Sequence, residues 1–247
     1  HLGAMHVVQT DAVIIGRNTN ASVDLPGGGS LVLGDPANPT YLSIADQSFN
    51  ANSTRGADLD LGAGRFDAHL TGLVVGRKFS GPGNTVAQLF GGTGGDVTIG
   101  DAGKSGSILV GVAEHGGSAT GTVDFSGVVN FTADVNEFVL GRVISGSAGG
   151  EFTLAQNNVI DANRIDLGES GGGTLHLGQT NTILADTITV GTENGSGTID
   201  IAGGGTLVLG SPSRPVAVTV ANHSFDSSAT RTGQIDLTGA HFDAWLD

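Results

Sequence analysis

The sequence predicts an all-β protein: a right-handed parallel β-helix, or solenoid, of roughly ten short coils. Three observations carry that expectation. Apolar segments of only a few residues alternate inward apolar with outward polar positions, as in Thr198-Ile199-Asp200-Ile201 and Thr174-Leu175-His176-Leu177. A motif, apolar-x-apolar-Gly, recurs along the whole chain. A much longer block also returns without a gap near the other end.

Taken in order, the motif opens with Val13–Gly16, Leu31–Gly34, Leu59–Gly62 and Leu73–Gly76. It continues through Val97–Gly100, Ile108–Gly111 and Phe138–Gly141, and closes with Ile165–Gly168, Leu175–Gly178, Ile188–Gly191 and Leu207–Gly210. Gly ends each strand because a sharp corner needs a residue free of Cβ restrictions. A longer form joins two segments. Phe66-Asp67-Ala68 leads into Leu73–Gly76-Arg77, and with identical spacing Phe131-Thr132-Ala133 leads into Phe138–Gly141-Arg142. Pro36-Ala37-Asn38-Pro39 and Pro212-Ser213-Arg214-Pro215 are read as stiff loop corners, since proline cannot donate to a strand ladder. No stretch carries the i, i+3, i+4 stripe of an amphipathic helix.

Gly27–Thr71 aligns without a gap on Gly203–Asp247, and 20 of the 45 aligned positions are identical. Upstream the match continues after a single-position offset, with Leu2-Gly3 over Leu177-Gly178, so residues 2–71 match 177–247 within one solenoid segment spanning 1–247. Each coil alone cannot bury its apolar face; stacked coils share one narrow core.

Of the 247 residues, 43 are Gly and none is Cys, and the formal charge is −14. Without Cys there is neither a disulfide framework nor a Cys-ligated metal. Two Lys and eight Arg leave no basic footprint for nucleic acid. The apolar runs are too short to insert into a membrane. Cys-free, Gly-rich, acidic repeats point to a secreted or cell-surface protein. His1–Thr10 has no signal-peptide pattern, and the chain reads as a piece of a longer protein whose open ends would associate end to end.

The most regular polar feature is Asp between two apolar residues, at Asp24, Asp60, Asp124, Asp166, Asp200 and Asp236. Alternation aims these carboxylates outward, and on one face they would form an acidic stripe that Ca²⁺ could bridge. The plainer reading is a solvated face. Gly91–Ile99 matches the calcium nonapeptide GGxGxDxUx except at Thr98 and occurs once, which fits a Gly-rich turn better. Gly100–Ser105 imitates the end of a phosphate loop, but no helix pattern follows. The seven His are scattered (His1, His6, His69, His115, His176, His223 and His241), and no catalytic cluster is evident. Arg17, Arg77 and Arg142 each follow a closing Gly and could pair with nearby acids.

The stretch from Gly172-Gly173-Thr174-Leu175-His176-Leu177 to Gly203-Gly204-Gly205-Thr206-Leu207-Val208-Leu209-Gly210 resembles autotransporter-associated β-strand repeats. The resemblance covers about half of the chain, and the Phe-Asp-Ala and Pro-x-x-Pro insertions depart from the plain repeat. It implies a surface-displayed passenger with a β-helical stalk, and it carries over no functional residue. The expected function is a non-enzymatic structural or adhesive segment, with a surface ligand or glycan as partner. A carbohydrate-binding or polysaccharide-cleaving β-helix is the alternative.

Overall fold

The computed structural model describes residues 4–25, 27–50, 53–192, 194–201, 203–222 and 232–247. The turn that begins at Asn130 shows how the chain is laid out. Strand Asn130–Val143 runs along a first face to Val135, changes register past Asn136, and continues along a second face. Ser147–Thr153 forms a third face, and Asn157–Glu169 then starts the next turn beside Asn130. Asn130 pairs with Asn157, 27 residues on, and Asn157 with Thr180, 23 residues on.

Eight such turns follow one another from Met5–Val8 to Thr232–Asp236, and His241–Ala244 begins a ninth. Among the described residues every ladder is parallel; the first two faces form a 13-stranded sheet and the third an 8-stranded sheet. The chain is thus the expected parallel β-helix. It has fewer turns than the ten suggested, because a long strand such as Asn130–Val143 carries two apolar segments on one turn. At about 4.8 Å per turn the rod is on the order of 40 Å long. Ser30 pairs with Arg65 and Thr206 with His241, the same step in both places, so turns 2 and 8 are alike and the two sequence copies lie six turns apart.

The Gly that closes the motif on the second face stands at a corner there. Gly16, Ala45, Gly76, Gly111, Gly141, Gly168, Gly191 and Ala221, one per turn, have φ between +51° and +75°. Opposite them on the third face run Gly121, Gly150, Gly173, Gly197 and Gly233. The sheets approach so closely here that a Cβ on Gly141 would fall on the Gly172 carbonyl, and one on Gly168 on the Ser196 carbonyl. At Gly141 and Gly168 glycine is favoured twice over, by the left-handed backbone and by the lack of room, whereas turns 2 and 8 accept Ala45 and Ala221 at this corner.

Away from this pinch the core is conventional. Val75, Val110, Leu140, Leu167 and Val190 stack in one inward column, at most 1% exposed. Phe66, Phe125, Phe131, Phe138 and Phe152 fill turns 3 to 5, with neighbouring ring centroids 5.1–6.1 Å apart. In turns 6 and 7 the place of Phe131 is taken by Asn158 and Asn181, which are 3% and 2% exposed. Asn181 Nδ2 donates to the carbonyls of Gly178 (2.9 Å) and Thr206 (3.0 Å), and its Oδ1 accepts from Gly178 N–H (3.0 Å) and Asn158 Nδ2 (2.9 Å). These amides replace a bulky apolar corner with a tight hydrogen-bonded one.

Candidate functional site

Five of the six aspartates lie in one column at the end of the third face. Asp24 stands beside Asp60 and Asp200 beside Asp236, while Phe90, Asp124, Thr153 and His176 occupy the turns between. Asp166 lies instead on the second face, 8% exposed and 3.2 Å from Arg164. Within the column the carboxylates shape their own corners. Asp60 accepts from Gly62 N–H (2.8 Å), Asp124 from Ser126 N–H (2.8 Å), and Asp236 from the hydroxyl and N–H of Thr238 (2.6 and 3.0 Å). The Thr238 hydroxyl and backbone hold the Asp236 carboxyl below its ordinary range. Asp recurs there because a short acceptor closes an Asx turn at a strand end. Among the described residues no three His, Asp or Glu side chains converge as a cation site.

The two motif-like stretches have local roles. Gly91, Gly92, Gly94 and Gly95 all adopt positive φ in a turn. Asp101 closes the 101–105 loop by accepting from Gly103 N–H and the Ser105 hydroxyl, both at 2.8 Å. That loop carries Lys104 to Asp161, 2.5 Å away and two turns on. From the other direction Arg214, in the second Pro-x-x-Pro loop, reaches the same carboxylate and also Asp186 (2.9 Å). Burial pushes the Asp161 carboxyl up, but the two cations outweigh it and hold it below the usual value. Its neighbour Asp134 is pushed up, by burial first and by the Asp161 charge second, and its Oδ1 is buried without a hydrogen bond.

The signs of these two shifts are opposite. The Asp161 contribution is present above the ordinary carboxylate pKa and is lost as pH falls through the lowered one. Asp134 opposes folding once ionised, so its effect vanishes in acid. Asp134→Asn is therefore expected to raise the thermal midpoint at pH 7 and to leave it nearly unchanged at pH 3. Asp161→Asn should lower stability at pH 7 by about 1–2 kcal/mol, less than for a fully buried pair. Thermal unfolding of both variants across pH checks this.

On the second face, Arg77 grips Asp46 of the preceding turn with two bonds, of 3.0 and 2.7 Å. Arg142 and Arg164 share Glu137 Oε2, at 3.1 and 2.7 Å. Val74, Leu109 and Val139 stack outward here yet are at most 9% exposed, with Val112 and Tyr41 packed against them. Of the Arg that follow a closing Gly, Arg77 and Arg142 thus have acidic partners in view.

Where the third face turns back to the first, a recess of about 370 Å³ runs over the ends of turns 4 to 7. Its floor is Leu154, Ala155, Leu177 and Gly178, and its rim carries Ser126, Thr153, Gln156, Gln179, His176 and Asp200. The recess exists because the corners after turns 5 and 6 are the tight ones that Asn158 and Asn181 brace. His176 stands between two carboxylates, with Nδ1 2.7 Å from Asp200 and Nε2 3.4 Å from Glu151. By sequence His176 is one of several scattered histidines. The signal that picks it out is the step from Leu175-His176-Leu177 to Ile199-Asp200-Ile201, since matching alternation puts the middle residues side by side. His1 and His223 lie outside the described residues. Comparison of the chain with family models, curated proteins and solved structures returns no match.

Proposed function

We propose that this chain is a structural and adhesive stalk segment of a larger secreted or cell-surface β-helical protein and that it performs no catalysis. The autotransporter-like repeats of its sequence belong to that reading. The observation that carries it is the six-turn repeat. Turns 2 and 8 pair onward with the same step and place Gly34 and Gly210, and Ala45 and Ala221, at matching left-handed corners, as expected of a rod built by adding units rather than around a single reaction centre. Cross-turn ion pairs such as Lys104–Asp161 and Arg77–Asp46 tie the units laterally.

The repeat phase gives a direct test. Asp247 occupies the place of Thr71, so a chain in which Asp247 is followed by residues 72–247 continues the ladders in register. Its rod should be longer by six turns, roughly 29 Å at the inter-strand spacing, by small-angle scattering or electron microscopy. A compact particle of unchanged length would overturn the additive stalk. Release of reducing ends from a panel of polysaccharides would overturn its non-enzymatic character. The recess beside His176 is the feature that favours the alternative, a carbohydrate-binding surface.

A further inference from the structure

We infer that the recess over turns 4 to 7 is a binding groove for a neutral oligosaccharide lying along the rod axis. The inference rests on the carbohydrate-binding alternative named above and gives it a place on the rod.

Three features of the recess support this class of ligand. Its volume of about 370 Å³ falls in the range of small-ligand sites. At its base Leu177, 5% exposed, and Gly178 present a narrow apolar edge for the C–H face of a sugar ring, with Leu154 and Ala155 packed beneath them. Its rim offers hydroxyl and amide partners that repeat from turn to turn: Ser126, Thr153 with Gln156, His176 with Gln179, and Asp200. Successive turns are about 4.8 Å apart, close to the advance of one hexose in an extended chain. A sugar chain on this line would meet a polar group at each residue.

The chemistry also selects against other ligands. Among the described residues no Lys or Arg lines the recess, while Asp200 lines it and Glu151 flanks it through His176, on a protein of formal charge −14. Phosphorylated ligands and uronates would be repelled. Carboxylates accept hydrogen bonds from sugar hydroxyls well, and the Asp200–His176–Glu151 chain fixes the orientation of the acceptor that faces the groove. His176 is a positioning residue here. Its Nδ1 lies 2.7 Å from Asp200 and its Nε2 3.4 Å from Glu151, which fixes the ring between the two carboxylates.

The test is calorimetric titration of the full chain with cellotetraose, chitotetraose and, as the charged control, tetragalacturonate. Saturable binding of at least one neutral tetrasaccharide is expected, with tetragalacturonate at least about tenfold weaker. The double variant Gln156→Ala/Gln179→Ala changes only exposed side chains and should weaken binding about tenfold or more, whereas Gln88→Ala, on the third face away from the recess, should not. Absence of saturable binding by either neutral tetrasaccharide at about 10 mM would overturn the inference. So would unchanged affinity in the double variant. Rod length by scattering on the same samples separates this failure from failure of the stalk reading.

Discussion

Gly141→Val is expected to prevent the central turns from closing, with a loss of about 4 kcal/mol or more. Gly141 has φ +71°, where a β-branched residue is strongly disfavoured, and its Cβ would fall on the Gly172 carbonyl across the pinch. Neither sheet can yield alone, because both are tied into ladders above and below. Gly149→Ala is the matched control. It lies on the facing sheet, yet a Cβ there meets nothing within 4 Å, so stability should change by no more than about 0.5 kcal/mol. Hydrogen exchange would show loss of protection centred on turns 4 to 6 in the first variant and none in the second. A Gly141→Val protein with native protection would show that the sheets separate readily.

Asn181→Leu should be the next most damaging change, at about 3 kcal/mol. The substitution preserves approximate volume but leaves the Gly178 and Thr206 carbonyls and the Gly178 N–H without their partner in a part-buried corner. Asn158 loses an acceptor as well. Sequence logic alone would favour Leu, since Val97, Phe131 and Leu207 share this column. The expected loss, read from chemical unfolding against Thr182→Ala as outward control, therefore separates hydrogen bonding from hydrophobicity. A gain in stability would mean that the corner can widen to take an apolar side chain.

How much of this is legible in the sequence depends on which interactions are local. The closing glycines are visible because a strand end that needs left-handed backbone needs it in every turn. Asp24, Asp60, Asp124, Asp200 and Asp236 are visible for the same reason, and they do share a column. Asp166 groups with them by sequence because Ile165-Asp166-Leu167-Gly168 has the same local pattern as Leu59-Asp60-Leu61-Gly62, and alternation does not say which face a strand joins. Lys78 gives no sign of being an inward residue. The left-handed Gly76 shifts the alternation by one, so Lys78, fully buried and 2.6 Å from Gln47 Oε1, points in where Arg77 would otherwise have done. The convergence of Lys104 and Arg214 on Asp161 spans 57 and 53 residues and leaves no local trace. The buried amides are detectable in principle, since Asn158 and Asn181 are in step with inward Ile160 and Ile183.

The glycine pinch also has a mechanical meaning. A beam bends most readily across its thinnest dimension, and along this rod the backbone sheets nearly touch on one line from Gly111 to Gly191. With no side chains there to act as a spacer, the rod is thinnest along that line over turns 4 to 7. Flexing should be easy in the direction that opens and closes the pinch and hard in the plane of the sheets. Such a filament can lie down against a surface while resisting sideways deflection.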